Sequence, residues 1–291
     1  MSTRRGPAPT PLPAEWAPLI EDYLRAEAGL GRSRQTIATR RAHLARLARG
    51  VRGVPHRVTE ERLLAWMGRN PQWSMEHRRG IRNTAVSFFG WAHRAGQLTT
   101  NPAAELPAFK AATPAPRPAP DAAWEAGTRA ADPRVLLMLR LAAEVGLRRA
   151  EIARVHTADL TIGATGPQLR VLGKGAKVRV LPITEDLAAQ IEAGAPGHSP
   201  ELAAFGAQGY LFPGDEDGHL SARWCGTLMA DCLPDGWTAH TLRHRFATRA
   251  YRGSRNLRAV QTLLGHSSVA TTERYTAVED DEVRAAMLAA L

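Results

Sequence analysis

The side chains best suited to chemistry lie in the second half of the chain, and their types are those that act on phosphate esters. They are Arg148 and Glu151, His240 and Arg243, His266, and Tyr275. Arginines can hold phosphate oxygens bidentately, imidazoles can donate or exchange protons, and a tyrosine hydroxyl can attack phosphorus. On a helix Glu151 can orient the guanidinium of Arg148, and His240 shares a face with Arg243.

Three other kinds of site do not fit these segments. The Gly-Lys-Gly of residues 173–175 lacks the earlier glycine and the following Ser or Thr of a phosphate-binding P-loop. His240 and His244 have the spacing of a zinc helix, but Thr241 replaces the expected acidic residue and Arg243 would place a cation beside the metal. No G-x-S-x-G nucleophile elbow occurs. We therefore expect no metal and no cofactor.

The elements that position these residues follow from the periodicity of apolar side chains. Helices are predicted at about 14–28, 33–49, 59–69 and 74–95, with caps at Ser33, Thr59 and Ser74. Further helices are predicted at about 135–145, 184–193, 221–231, 240–251, 256–264 and 280–290. Strands at 168–172 and 178–183 are predicted to form a hairpin around the turn 173–176. The expected fold class is mainly α with a small antiparallel β-sheet.

Prolines divide the chain into two domains. Prolines at positions 107, 114, 116, 118 and 120 favour extended chain and interrupt helices. Residues 107–120 are therefore predicted to be a linker. It joins a helical domain at 12–106, preceded by a tail at 1–11, to a second domain at 121–291 that ends in a helix at about 279–290.

The excess positive charge lies in the first part of the chain. Residues 1–110 hold 18 basic and 8 acidic residues, a net charge of +10, whereas residues 111–291 hold 20 of each. Such a domain attracts a polyanion, most commonly nucleic acid. The alternative is arginine-rich coding in a GC-rich genome, since 35 of the 38 basic residues are arginine. The predicted phosphate contacts are Arg34, Arg40, Arg41, Arg78, Arg79 and Arg82.

Cysteine usage and the absence of long apolar runs indicate the compartment. The two cysteines form no C-x-x-C pair, and neither a membrane span nor the apolar core of a signal peptide occurs. We therefore expect a soluble cytoplasmic protein without a membrane partner, associated with the nucleoid through its positive charge.

Four segments in order resemble the tyrosine recombinase (phage integrase, Xer-like) family. They are AEVGLRRAEIARV, VLGKGAKVRVLPI, HTLRHRFAT and LLGHSSVATTERYTAV, spanning Glu144 to Val278. The helical domain at 12–106 resembles in size and placement the SAM-like core-binding domain of that family, with weaker motifs. The one departure is the Glu144-Val145 pair before Gly146, where the family usually has Thr or Ser, and it should affect packing rather than chemistry.

The resemblance assigns residues to a catalytic pocket one by one. It implies a catalytic set of Arg148, Lys174, His240, Arg243, His266 and Tyr275, and Glu151 stands where the family has an acidic support. Two neighbours of these residues are not carried over. His244 is interpreted as structural, and Arg149 as a surface or backbone-contact residue.

The roles that the resemblance implies form a cut-and-rejoin reaction on DNA. Tyr275 forms a 3′-phosphotyrosyl bond and releases a 5′-hydroxyl, while the two arginines and His266 stabilise the charge of the transition state. His240 is expected to help remove the tyrosine proton, and Lys174 to protonate the departing 5′-oxygen. A second 5′-hydroxyl then attacks the phosphotyrosine and exchanges the strands through a Holliday junction, without a high-energy cofactor.

Two other functions remain open from the sequence. A type IB topoisomerase shares this catalytic set but reseals the same strand, and a DNA-binding protein that has lost cleavage would keep the fold. The expected partners of a recombinase are double-stranded DNA core sites and three further copies of the chain, as a homotetramer on synapsed DNA. The recombination site, the biological role and any accessory protein are not specified by the sequence.

Overall fold

The protein is described by a computed structural model that covers residues 11–109, 115–173, 175, 177–202, 209–265 and 287. The chain divides into two compact units, Met1–Pro114 and Ala115–Leu291, whose boundary lies inside the segment 107–120. Lys174, His266 and Tyr275 lie outside the described residues, as does the predicted helix at 279–290 apart from Met287. None of the described helices is both long and apolar enough to cross a membrane.

Four α-helices form the described part of the first unit, and three of them begin at a side-chain cap. They are α1 (Ala17–Gly29), α2 (Arg34–Val51), α3 (Glu60–Gly68) and α4 (Met75–Arg94). The hydroxyls of Ser33, Thr59 and Ser74 accept backbone N–H groups at 3.2, 3.3 and 3.2 Å. Because these N–H groups have no partner within the helix, the hydroxyls determine where α2, α3 and α4 begin.

An aromatic cluster fills the core of the first unit. Trp16, Tyr23, Phe88 and Phe89 are fully buried among aliphatic side chains of all four helices. The rings of Phe88 and Phe89 are 5.0 Å apart, and those of Tyr23 and Phe88 are 5.4 Å apart, both edge to face. Such pairs add about 0.5–1.5 kcal/mol each beyond the burial of their area. The first unit therefore has a hydrophobic core of its own.

The second unit combines eight further helices with a three-stranded sheet in the part of the chain that the structure describes. The helices are α5 (Asp121–Ala130), α6 (Pro133–Ala143), α7 (Arg149–Ile152), α8 (Glu185–Glu192), α9 (Gly194–His198), α10 (Ala222–Cys232), α11 (Ala239–Ser254) and α12 (Leu257–Leu264). The strands β1 (Leu160–Gly163), β2 (Gly166–Leu172) and β3 (Val178–Pro182) pair antiparallel in that order, and a short strand β4 (Pro213–Glu216) lies outside the sheet. The predicted fold class is confirmed.

The sheet is aligned so that alternate side chains reach the core. Leu169 on β2 lies opposite Leu181 on β3, and both are buried, whereas Val178 and Val180 are exposed. The backbone N–H of Gly173 donates to the carbonyl of Lys177 at 2.8 Å and closes the base of the β2–β3 turn. A one-residue slip would expose both leucines, so burial specifies this register.

Helix α6 packs against α11 at the centre of the second unit. Met138, Leu139 and Leu141 on α6 are fully buried, as is Leu242 on α11. Because Leu242 must face this core, its burial fixes the rotation of α11 about its own axis. That rotation places His240 and Arg243.

Helix α5 and strand β1 are among the elements of the second unit that were not expected from the sequence. Helix α5 buries only the small residues Ala123 and Gly127 and begins directly after Pro120, at the end of the proline-rich segment. Strand β1 has four residues and exists through its pairing with β2, in which Leu160 lies opposite Leu169. Both elements depend on neighbours that local sequence does not reveal.

Candidate active site

Arg148 and Glu151 are joined by a capping box at the start of α7. The carboxylate of Glu151 accepts the backbone N–H of Arg148 at 2.8 Å and its Nη1 at 2.9 Å. The side chain of Glu151 is 3% exposed and that of Arg148 is 39% exposed. The arginine is therefore anchored on a buried carboxylate while part of its guanidinium reaches solvent.

Arg179 on β3 completes the partners of Glu151. It lies within the segment VLGKGAKVRVLPI, but the sequence did not assign it to the site. Its Nη1 and Nη2 donate to the two carboxylate oxygens of Glu151 at 2.9 and 2.8 Å, in the bidentate geometry of a strong ion pair. Its Nε donates to the carbonyl of Leu263 at 3.1 Å. The signal that could have indicated it is strand parity, because Arg179 lies on the same face of β3 as the buried Leu181.

Arg243 on α11 is almost fully buried and is held by backbone carbonyls. Its Nη1 donates to the carbonyl of Gly146, its Nη2 donates to that of Leu264 at 2.6 Å, and Nη1 lies 3.9 Å from Glu151. Gly146 has a φ of +72°, and a Cβ there would lie 2.4 Å from the ring of Phe246. Glycine is therefore required at the turn that presents this carbonyl to Arg243.

The charge of Glu151 is stabilised by the arginines around it. Burial opposes its ionisation, but the hydrogen bonds from Arg179 and from the backbone of Arg148, with the positive charge of both side chains, outweigh burial and lower its pKa to about 2. Glu151 is thus an ionised carboxylate that links three guanidinium groups, those of Arg148, Arg179 and Arg243.

We expect Glu151→Gln to destabilise the protein by about 3 kcal/mol at pH 7, because it leaves buried guanidinium groups uncompensated. The low pKa in the folded state means that the ionised carboxylate contributes fully above pH 4.5, and that this contribution is lost as the pH falls towards 2. Urea denaturation of both proteins as a function of pH measures the difference, which should shrink across that interval.

The matched control is Glu144→Gln. Glu144 also forms an ion pair, with Arg140 at 2.8 Å, but it is exposed directly after the end of α6 and the pair is screened by solvent. Its loss should cost about 1 kcal/mol or less. Equal destabilisation by the two changes would contradict the linking role of Glu151.

His240 lies at the exposed start of α11, one turn before Arg243. Its Nε2 is 2.9 Å from Nε2 of His244, and the two ring centroids are 4.2 Å apart. His244 is predicted from the sequence to be structural, and its side chain contacts an expected catalytic residue directly. Among the residues that the structure describes, no three His, Cys, Asp or Glu side chains form a group that could hold a metal ion.

The structure brings together Arg148, Glu151 and Arg243 of the expected catalytic set. The chain immediately before His266 is anchored to them, because the carbonyls of Leu263 and Leu264 accept hydrogen bonds from Arg179 and Arg243. Helix α12 ends there at Gly265, which has a φ of +62°. The roles of Arg148, Glu151 and Arg243 in catalysis stay predictions, as do those of Lys174, His240, His266 and Tyr275.

Most of the arginines predicted to contact DNA make contacts within the first unit. Arg78 donates to the carbonyl of Asn70 at 2.7 Å, and Arg82 donates to that of Leu106 at 2.6 Å. Such bonds hold loops to α4 and are a structural use of the guanidinium.

Of the other four arginines of that set, Arg40 is half-buried and also donates to the hydroxyl of Ser87 at 3.0 Å, and the other three lie nearer the surface of the same unit. Arg40 pairs with the buried Glu27, Arg41 with Glu21, and Arg79 with Glu76 at 2.8 Å, while Arg34 is exposed in the first turn of α2. The pairs of Arg41 and Arg79 are exposed to solvent, and such ion pairs are weak. The assignment of these arginines to DNA stays a prediction.

A family model and relatives of known family match the sequence of this chain. The phage integrase family model matches residues 122–282. The tyrosine recombinase XerC of Rhodospirillum centenum is 38% identical over 214 residues, which are 68% of this chain and 60% of that protein. The aligned part of the chain therefore spans about 60% of the length of that relative.

Solved structures of lambda integrase share the fold. A dimer of residues 75–356 bound to a COC′ core site is 18% identical, covers 89% of this chain and 94% of that chain, and has a TM-score of 0.68. A tetramer bound to a Holliday junction is 19% identical, covers 87% and 77%, and has a TM-score of 0.65. With the family match over more than half of its residues, the chain belongs to the phage integrase family of tyrosine-type site-specific recombinases.

Proposed function

We propose that this protein cuts and rejoins double-stranded DNA at specific core sites through a covalent 3′-phosphotyrosyl intermediate. The observation that carries the proposal is the buried carboxylate of Glu151, which orients Arg148 at the protein surface and lies beside the buried Arg243. Two guanidinium groups held in this way are preorganised for the oxygens of one phosphate. Metal and cofactor have no part in the proposed reaction.

In the proposed reaction the hydroxyl of Tyr275 attacks the scissile phosphorus. The bond from phosphorus to the 5′-oxygen breaks, His240 helps to take up the tyrosine proton, and Lys174 gives a proton to the departing oxygen. Because a phosphodiester is exchanged for a phosphotyrosyl ester, its bond energy is retained and the reverse attack by a 5′-hydroxyl rejoins DNA. A Cβ atom added at Gly173 would lie 3.6 Å from Oε1 of Glu151. Lys174 is the next residue in the chain, and this short distance supports its place at the site.

The electrostatics of the site suit a transition state with added negative charge. Arg148 and Arg243 supply two positive charges, and the ionised Glu151 holds them together with Arg179 before DNA binds. Groups that are already in place need no reorganisation when the charge develops, which is the main source of this kind of stabilisation.

The proposed assembly is a homotetramer on two synapsed core sites, with a Holliday junction as the intermediate. Exchange of four strands between two duplexes needs four active sites. Lambda integrase, which shares the fold, forms a tetramer on a Holliday junction, and this similarity supports the same assembly here. The net charge of +10 on the first part of the chain supports duplex DNA as the partner.

Covalent capture from a mixture of DNA sequences tests the proposed function. The full chain is incubated with a pool of duplexes of randomised sequence, each carrying one nick. Cleavage near a nick releases a short 5′-hydroxyl fragment that diffuses away, so DNA stays attached to the protein under denaturing conditions. Recovery of a defined sequence attached through its 3′-phosphate is expected. No covalent DNA from any sequence would overturn the proposal.

A second assay separates recombination from DNA relaxation. Supercoiled plasmid that lacks the captured sequence should stay supercoiled, whereas plasmids that carry the sequence should recombine with one another. Relaxation of any plasmid irrespective of sequence would favour a type IB topoisomerase.

We expect the first unit alone to bind duplex DNA with a strong dependence on salt. It has its own core, and all of the net charge of +10 lies within residues 1–110. Release of counterions should lower its affinity about tenfold or more between 50 and 200 mM salt. Fluorescence anisotropy measures this, with the second unit as the control, since residues 111–291 have no net charge. A DNA affinity that does not change with salt concentration would contradict the prediction that the first unit contacts phosphates.

A further inference from the structure

A chain of two hydrogen bonds connects the proline-rich segment to His240. The backbone N–H of Arg117 donates to Nδ1 of His244 at 3.0 Å, and Nε2 of His244 lies 2.9 Å from Nε2 of His240. Arg117 and His244 are 127 residues apart in sequence. His244 is thus held by Arg117 at Nδ1 and contacts His240 through Nε2.

The first hydrogen bond determines which nitrogen of each ring carries the proton. Because Nδ1 of His244 accepts from a backbone N–H, it carries no proton, so the proton of a neutral His244 lies on Nε2. Nε2 of His244 is therefore the donor to His240, and Nε2 of His240 is the acceptor. A neutral His240 then carries its proton on Nδ1.

We propose that His244 is a positioning residue that holds His240 as its Nδ1–H tautomer for the reaction at the scissile phosphate. This inference rests on the proposed function, because it assigns a state to one of its catalytic residues. In this state His240 presents an N–H, which suits a hydrogen bond to a phosphate oxygen. From the sequence, His240 is expected to help remove the tyrosine proton. In this tautomer only Nε2 can accept that proton, so the hydrogen bond to His244 must break first.

Several contacts hold the Arg117 backbone in place on α11. The guanidinium of Arg117 stacks on the ring of Trp237 at 4.3 Å, and the N–H of Ala119 donates to the carbonyl of Thr241 at 3.0 Å. Asp121 forms ion pairs with two arginines of the same helix, Arg245 and Arg249. The N–H group that donates to His244 therefore belongs to a segment that is held along α11. Its position relative to Nδ1 of His244 is fixed by these contacts.

Nitrogen-15 NMR of the full chain with labelled histidine reads the tautomers without DNA. The signals of the pair are identified from their loss in His240→Ala and His244→Gln. We expect neutral His240 to carry its proton on Nδ1 and neutral His244 to carry it on Nε2. His240 protonated on Nε2 in the unaltered protein would overturn the inference, whatever the outcome of covalent capture.

Two substitutions at position 244 separate positioning from packing. The amide of Gln reaches about as far as Nε2 and can donate to His240, whereas the shorter amide of Asn reaches only the level of Nδ1 and can bond Arg117. We expect His244→Asn to slow covalent capture about a hundredfold with unchanged DNA affinity, and His244→Gln to retain most of the rate. Equal rates for Asn and Gln would overturn the inference.

Substitution of Arg117 tests the other end of the chain of hydrogen bonds. Arg117→Pro removes the donor N–H in a segment already rich in proline, Arg117→Ala removes only the side chain, and Ala115→Pro adds a proline at an exposed neighbouring position. Only Arg117→Pro should change the His240 and His244 tautomers. A tautomer change in Arg117→Ala, or no change in Arg117→Pro, would show that this N–H does not determine them.

Discussion

Tyr275→Phe should bind DNA as well as the unaltered protein and form no covalent complex with it. The change removes one oxygen, the proposed nucleophile, and keeps the ring. No other group can then accept the phosphate in its place, so cleavage of a nicked substrate should fall below detection. Denaturing electrophoresis measures the covalent product, and anisotropy with the same duplex measures binding.

The matched control for the nucleophile is Tyr251→Phe. Tyr251 lies on α11 and packs against the small cluster of Ala247, Val260 and Leu264. Its hydroxyl has no role in the proposed reaction, so the covalent complex should still form. A covalent product from Tyr275→Phe, traced by peptide mapping to another side chain, would place the nucleophile elsewhere.

Arg148→Lys and Arg243→Lys should each raise the barrier to cleavage by about 3 kcal/mol, although lysine keeps the positive charge. An ammonium group lacks the planar fork with which Arg148 bonds the carboxylate of Glu151 and Arg243 bonds two backbone carbonyls, so it cannot keep these bonds and also hold a phosphate. Single-turnover cleavage under saturating DNA measures the loss, which is a factor of about a hundred or more.

The two lysine variants should differ in stability. Arg243 is buried and supports the carbonyls of Gly146 and Leu264, so its replacement should also lower the melting temperature. Arg148 is 39% exposed, so its replacement should leave the fold nearly unchanged.

The control for both variants is Arg149→Lys. Arg149 is exposed beside Arg148 in the chain and is not part of the proposed site. It should cleave at close to the normal rate. Near-normal cleavage by both Arg148→Lys and Arg243→Lys would refute the proposed role of the arginines.

The local structure of this protein could be predicted from its sequence because short-range physics controls it. The hydroxyls of Ser33, Thr59 and Ser74 cap helices at the expected places, and the β2–β3 hairpin surrounds the expected turn. The pairing of Arg148 with Glu151 also follows from a spacing of three residues. Each of these features depends on groups within a few residues of one another, so side-chain type and spacing are sufficient.

Tertiary structure alone decided which distant groups complete the site. Arg179 reaches Glu151 across 28 residues, Arg243 reaches the carbonyl of Gly146 across 97, and Arg117 reaches His244 across 127. The same limit applies to Arg78 and Arg82, because the sequence does not indicate that they bond the carbonyls of Asn70 and Leu106. Every residue has a backbone carbonyl, and every residue except proline has a backbone N–H, so residue type does not mark the partner. Only the packing of the helices and the sheet brings a particular carbonyl or N–H to a particular side chain.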